Sequence, residues 1–273
     1  MDRTLGWRGE PALVWPRQPV PDPSPGHWWN DLAGSWMFYS RLPTLPLVRP
    51  RFGRIARFAP LVGAAIALIQ GLLWQLVEPL HLPIASGVTL LMVAEMGLTG
   101  GLHLDGVMDT ADGLGAGPAQ RKAMTDSRVG AMGVTSVAAL LLLRFGGWLW
   151  LAEADGPMVA VLLSVAVWAR TAPLLALAWW PPLRPEGSGA RHAAQQQVLA
   201  RELLPAVLLL ACLSLCFGLW ILLGSLSSIV VALLLGRLLG GQSGDSLGAT
   251  LEWSATACIW LYGLVWVAPV GVV

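Results

Sequence analysis

Three aspartates are concentrated in the stretch GGLHLDGVMDTADGL, which runs from residue 100 to residue 114. On a helix, where each residue advances about 100°, Asp105, Asp109 and Asp112 fall within roughly 60° of one another. Like charges on one face repel, so a helix tolerates them best when a cation compensates. Carboxylate oxygens are ligands that Mg2+ takes together with substrate phosphates. The spacing predicts that these three residues ligate Mg2+, although a solvated acidic helix end would show the same spacing.

A fourth aspartate and a histidine lie close to this group along the chain. Asp126 follows Asp112 by about four helical turns, so it can return to the site on the next element. His103 precedes Asp105 by two residues and points away from the acidic face of an ideal helix. That position favours a polar histidine at the membrane interface over a role in proton transfer.

A second segment whose residues could take part in chemistry is LLGGQSGDSLGATLE, residues 238–252. Gly240, Gly241 and Gly244 permit backbone conformations in which exposed N–H groups can cradle a phosphate. Asp245 supplies one more carboxylate. A tight turn between two packed helices explains the same glycines, and the sequence leaves both interpretations open.

Two arginines, Arg144 and Arg170, interrupt apolar runs. A charge at that depth is costly and usually faces the protein interior. Arg170 can hold a phosphate with two parallel hydrogen bonds, or it can pair with Glu95. For Arg144 an internal ion pair or a snorkelling side chain is sufficient.

The elements that must position these residues are membrane helices. Of the 273 residues, 55% are hydrophobic and only 12% are charged, whereas soluble domains carry about 25% charged residues. Apolar runs approach the roughly 20 residues that cross a bilayer. We predict an all-α, polytopic helical bundle in the lipid bilayer with about seven spans: 59–78, 84–101, 132–152, 157–179, 203–223, 226–240 and 254–272. Residues 102–113 are expected to extend the second span.

The N-terminal part is predicted to be a flexible, proline-rich arm over residues 1–30, followed by a membrane-embedded domain over residues 31–273. Residues 32–46 form a short amphipathic piece, and the aromatic side chains around it suit the headgroup level. The formal net charge of +1 indicates no class of partner, and the sequence has no basic stripe with interleaved aromatics, so it gives no support to nucleic acid as a partner.

Basic residues predict the orientation of the bundle. They precede the first span, follow the second and the fourth, and include Arg237 at the inner end of the sixth, whereas the connections 79–83, 153–156 and 224–225 contain no Lys or Arg. The positive-inside rule therefore places the N-terminus and the aspartates in the cytoplasm.

Several motifs of this sequence closely resemble those of the cobalamin synthase family, whose members are also called adenosylcobinamide-GDP ribazoletransferases. The resemblance is carried by GGLHLDGVMDTADGL, by DSRVGAMGV (126–134) and by LGGQSGDSLGA (239–249), with weaker support from FYSRLPTLP and RFAPLVGAAIA. It covers residues 32–262 in the order of the family.

The resemblance implies an Mg2+-dependent membrane enzyme that completes the assembly of vitamin B12. Adenosylcobinamide-GDP would react with α-ribazole, or its 5′-phosphate, to release GMP. The implied roles are metal ligation by the three aspartates and completion of the site, or base catalysis, by Asp126 or Asp245. Phosphate or nucleotide contacts are assigned to Arg128, Arg170, Gly241, Gln242 and Ser243, and His103 is added to the substrate-binding set.

Rival functions remain open at the level of sequence. A CDP-alcohol phosphotransferase of phospholipid synthesis also carries aspartates along a helix, but the Ala-Arg pair of its motif is missing here, because Gly117 follows Ala116. A cation transporter would place its acids near the bilayer midplane and would show inverted repeats. A structural anchor for other cobalamin-assembly enzymes predicts no loss on mutation of the carboxylates. Both a homo-oligomer and a complex with such enzymes are compatible with the sequence.

Overall fold

The computed structural model describes residues 27–44, 48–124, 128–185, 187–195 and 198–267. No strand occurs within these ranges, and the fold is all-α, as predicted. The helices are α1 (Trp28–Tyr39), α2 (Ile55–Val77), α3 (Ile84–Thr99), α4 (Leu102–Gly115), α5 (Gln120–Ala123), α6 (Ala131–Glu153), α7 (Met158–Trp179), α8 (Ser188–Gln195), α9 (Leu199–Phe217), α10 (Gly224–Leu239) and α11 (Gly244–Val267).

The core of the bundle is built around α7. This helix is apolar on all sides, which is typical of a helix that is surrounded by others. It is buried along nearly its whole length and packs against α2, α9, α10 and α11. The helix α4 packs against α6 and α11. Its Leu104 and Val107 are buried with Leu140 of α6 and Ala249 of α11. The buried face of α4 thus packs against helices of the bundle.

The chain is a multi-pass membrane protein by the length and composition of its helices. Within the described ranges, five segments are long and apolar enough to cross a bilayer: Ile55–Leu80, Ala131–Glu153, Met158–Trp179, Leu199–Phe217 and Leu219–Leu239. A sixth is obtained if α3 and α4 count as one broken span. The predicted sixth segment, 226–240, was expected to be short, yet it belongs to a stretch of 21 residues. The predicted seventh is covered in part by α11, which is not among the five, and it ends outside the described residues.

The path of the chain after α3 differs from the prediction. Residues 102–113 do not extend the second predicted span, because α4 is bent by 91° relative to α3. The bend lies at Gly100 and Gly101, whose φ angles of 71° and 68° are in the left-handed region that favours glycine. The backbone N–H of Arg41 donates to Leu98 O at 2.7 Å and ties the end of α1 to this elbow. The elbow turns α4 across α6 and α11.

The first helix, α1, differs in its bounds from the predicted amphipathic piece. It begins at Trp28, four residues before the predicted start, and ends at Tyr39. Trp28 and Trp29 are exposed, whereas Asp31 is buried and pairs with Arg51 at 3.2 Å. Of the predicted arm, only the last four residues, 27–30, lie within the described ranges.

Candidate active site

The aspartates of α4 lie on the side of the helix opposite its buried Leu104 and Val107. Asp105 is exposed, while Asp109 and Asp112 are half-buried. Because α4 has only 14 residues, it is too short to cross a bilayer by itself. We therefore treat it as a helix at the membrane edge.

Asp112 fixes α4 to the start of α6. Its Oδ2 accepts the backbone N–H of Gly130 at 2.7 Å, and its Oδ1 accepts that of Gly133 at 2.8 Å. These are two of the N–H groups that the first turn of a helix leaves without partners. A Cβ at either glycine would clash with the carboxylate. Asp112 thus has a structural role in addition to the metal role that the sequence predicts for it.

Asp109 is the point at which the negative charges converge. Its pKa is raised to about 6, first by burial and then by the like charges of Asp105, Asp245 and Asp112, against a lowering by Arg184. Burial also raises the pKa of Asp245, which Arg184 lowers and Asp105 raises. Asp105, Asp109, Asp112 and Asp245 are called the carboxylate cluster below. Two helices far apart in sequence supply it.

A close helix contact brings Asp245 to α4. Gly106 lies directly against the backbone oxygen of Asp245, and a Cβ at this position would overlap that atom. One turn along α11, a Cβ on Gly248 would come 3.4 Å from the Cα atom of His103. The glycines of the sequence motifs therefore allow α4 and α11 to approach until their acids share one environment.

Gly106→Ala is expected to separate α4 from α11. Overpacking of a tight contact costs about 1–3 kcal/mol, so the apparent melting temperature and the activity should both fall. Gly97→Ala on α3 is the matched control, because a Cβ there meets nothing within 4 Å. Thermal melts of the two purified variants would contradict the account if they were the same.

The donor set fits a hard divalent cation. The half-buried carboxylates with raised pKa values do not have enough positive charge nearby to offset burial and mutual repulsion. Their ligand atoms are oxygens, which hard divalent cations prefer. Among the described residues, however, no three His, Cys, Asp or Glu side chains are grouped closely enough to hold a metal ion on their own. Mg2+ commonly binds one or two carboxylates and takes its remaining ligands from water and substrate phosphates. The cluster suits that mode of binding and does not form an all-protein cage.

Backbone N–H groups of the turn before α11 donate hydrogen bonds to acceptors within the protein. The N–H of Gly241 donates to Gly236 O at 3.1 Å and that of Ser243 to Ser246 Oγ at 2.7 Å. The N–H of Gln242 donates to Pro181 O at 2.8 Å. The expected cradle of exposed N–H groups is therefore wrong at these three positions. Their contact with substrate stays a prediction.

A second polar group lies deeper, among the packed helices. Arg144 Nη1 is 2.7 Å from Glu252 Oε2 and 3.7 Å from Glu95 Oε2. The internal ion pair of Arg144 is thus confirmed, and Glu95, the alternative partner of Arg170, lies within ion-pair distance of Arg144. His103 Nδ1 is 3.7 Å from Glu252 Oε1.

His103 and Arg170 belong to this inner group. His103 is buried, and its ring stacks on that of Tyr39. Burial and the charge of Arg170 lower the pKa of His103 to about 3, which keeps the imidazole neutral. Arg170 is 2% exposed, and its Nε and Nη2 have no hydrogen-bond partner. Both residues are therefore enclosed by the protein.

Two predicted residues precede α6 in the chain. Asp126 is outside the described residues. Arg128 is exposed and precedes Gly130, whose N–H donates to Asp112, by two residues. Arg184, one of the basic residues after the fourth predicted span, pairs with Asp245 at 3.6 Å. No local pattern marks this arginine, because it reaches the site on a loop that tertiary contacts place.

Comparisons with known proteins agree with the motifs. The family model described as cobalamin-5-phosphate synthase matches residues 31–263. An adenosylcobinamide-GDP ribazoletransferase of Prochlorococcus marinus (strain MIT 9303) is 42% identical over 243 residues, which are 82% of this chain and 91% of that relative. The enzyme of the same name from Synechocystis sp. is 36% identical over 83% of this chain and 92% of its own length. No solved structure matches the chain.

Proposed function

The chain belongs to the cobalamin-5-phosphate synthase family, and we propose that it is an adenosylcobinamide-GDP ribazoletransferase. In this reaction the 3′-hydroxyl oxygen of α-ribazole, or of its 5′-phosphate, attacks the phosphorus atom that carries the aminopropanol arm. The bond from that phosphorus to the bridging oxygen of the diphosphate breaks, and GMP leaves with that oxygen. The product is adenosylcobalamin or its 5′-phosphate.

The observation that carries the proposal is the convergence of Asp105, Asp109 and Asp245 within the motifs that the family shares. Burial and mutual repulsion raise the pKa of Asp109, so the fold maintains a charge arrangement that costs stability. Such an arrangement is typical of a site where a cation and phosphates complete the charge balance. A solvated helix end would leave its carboxylates free of burial.

We assign the metal to Asp105 and Asp109, in line with the one or two carboxylates that Mg2+ commonly takes. Asp112 holds α4 on the N-terminus of α6. Mg2+, when bound, supplies positive charge that neutralises the diphosphate and the leaving GMP. In such a reaction the protein contributes mainly positioning and electrostatic stabilisation.

The attacking hydroxyl needs a proton acceptor. Asp245 is suited to this role because its raised pKa makes it a better base than an ordinary aspartate. Asp126, on the segment before α6, is the alternative base. Phosphate contacts are assigned to Arg128 and to Arg170, whose buried Nε and Nη2 are donors without acceptors.

The turn formed by Gly241, Gln242 and Ser243 contributes to the site by positioning the start of α11. Ser243 Oγ accepts the N–H of Ser246 at 3.2 Å and caps α11, which sets the direction of Asp245. His103 supports the site from below, as a neutral ring between Tyr39 and Glu252. We propose that the site faces the cytoplasm from the inner membrane of a bacterium, as the distribution of basic residues favours.

The test is direct. The purified full chain in lipid nanodiscs is incubated with adenosylcobinamide-GDP and α-ribazole, with and without Mg2+, and GMP is measured. GMP release that needs both substrates and Mg2+ is expected, and a parallel reaction with α-ribazole 5′-phosphate identifies the preferred acceptor. Absence of GMP with either acceptor would refute the proposal. Release of CMP from a CDP-alcohol would instead support the phospholipid alternative, which the comparisons do not favour.

A further inference from the structure

Arg184 reaches the carboxylate cluster on the loop between α7 and α8, and this loop is fixed at its base. The N–H of Leu183 donates to Gln242 O at 2.7 Å, and the N–H of Gln242 donates to Pro181 O at 2.8 Å. Gly241 permits this approach, because a Cβ there would lie 2.7 Å from Pro181 O. The loop and the turn before α11 are therefore joined by two backbone hydrogen bonds, which position Arg184 beside α11.

The guanidinium lies at the rim of the cluster. Nη2 is 3.6 Å from Asp245 Oδ2 and donates to Met124 O at 3.3 Å. The side chain of Arg184 is 36% exposed. Its positive charge lowers the pKa of both Asp109 and Asp245, against the effect of burial. Arg184 thus partly neutralises the cluster. Its ion pair is long and accessible to solvent, so Arg184 can give up this partner for another.

A divalent cation and Arg184 would compete for the same carboxylates. The four aspartates carry up to four negative charges, and Arg184 offsets one of them. A metal ion among these oxygens repels the guanidinium and weakens its attraction to Asp245. The planar guanidinium is well shaped to bind a phosphate through two hydrogen bonds, so the phosphates that arrive with the metal offer it a new partner.

We propose that Arg184 is a positioning residue that changes partners. In the substrate-free protein it pairs with Asp245, and when metal and nucleotide bind it moves to a phosphate oxygen of the diphosphate. This inference rests on the proposed function for the identity of the diphosphate. The pairing with Asp245 in the absence of substrate does not depend on it.

Two measurements on Arg184→Gln and Arg184→Lys test the exchange. Mn2+, used as a probe for Mg2+, is titrated by electron paramagnetic resonance into the substrate-free full chain. Because Arg184 no longer competes, Arg184→Gln is expected to bind Mn2+ about three- to tenfold more tightly. In the GMP assay its KM for adenosylcobinamide-GDP should rise roughly tenfold, with the KM for α-ribazole unchanged. Arg184→Lys keeps the charge and loses the bidentate geometry, so it should keep wild-type Mn2+ affinity with a raised KM.

The matched control is Arg201→Gln, which removes an exposed arginine at the start of α9. It should leave both quantities unchanged. Weaker Mn2+ binding by Arg184→Gln, or an unchanged affinity and KM, would overturn the exchange. If the wild-type chain releases no GMP, the proposed function fails by itself, and the Mn2+ comparison alone still decides whether Arg184 competes with metal.

Discussion

Asp109→Asn is expected to abolish GMP release, with a loss of roughly a thousandfold or more in kcat/KM. The substitution keeps the size of the side chain and removes the charge at the centre of the carboxylate cluster. Charge stabilisation by a bound metal supplies several kcal/mol to a transition state, and each 1.4 kcal/mol corresponds to about tenfold in rate. The comparison uses GMP release at saturating Mg2+ by wild type and variant.

The same variant should remain folded, which separates catalysis from stability. Burial raises the pKa of Asp109 from 3.8 to about 6, so the ionised side chain costs stability once the pH rises through that window. Asparagine carries no such cost, and the apparent melting temperature at pH 7.5 should be unchanged or higher. Asp155→Asn, at an exposed position with φ 51° that asparagine tolerates, is the matched control. Retained turnover in Asp109→Asn would refute the role in metal binding.

The helices of the bundle were predictable because long apolar runs have few other uses. Each of the seven predicted segments coincides at least partly with a helix, and the all-α class is confirmed. The direction of α4 was not predictable from periodicity, because helical spacing gives the face of a side chain and not the path of the axis. Gly100 and Gly101 were the local signal, since paired glycines often end a helix. Their bend of 91° depends on the packing of α4 against α6 and α11.

The candidate site was predictable in its residue types and less so in its partners. Helical spacing placed Asp109 and Asp105 on one side of α4, and their charges do act on each other. Asp112 carries an additional task, because the segment that begins α6 lies across its carboxylate. Arg184 and the burial of His103 follow from contacts between distant segments, which no spacing within one segment records. The same reason explains why Glu95 pairs with Arg144.

Arg144→Met is expected to cause the largest loss of stability. Arg144 is 4% exposed and donates to Glu252 O at 2.7 Å, in addition to its ion pairs with Glu252 and Glu95. Removal of one partner of a buried ion pair costs about 3–5 kcal/mol, because the remaining charge stays buried. We expect the apparent melting temperature in detergent to fall by on the order of 10 °C. Resistance to proteolysis should fall with it.

The double variant Arg144→Met, Glu252→Gln distinguishes the lost pair from lost packing. If the unpaired charge of Glu252 is the cause, its removal should restore a large part of the melting temperature, and the two substitutions will be non-additive. Arg237→Met, at an exposed arginine in the last turn of α10, is the control for loss of a positive charge. A double variant that is less stable than Arg144→Met would show that packing and hydrogen bonds, rather than the buried charge, dominate. Either result decides whether the inner polar group is held together by charge, as its geometry indicates.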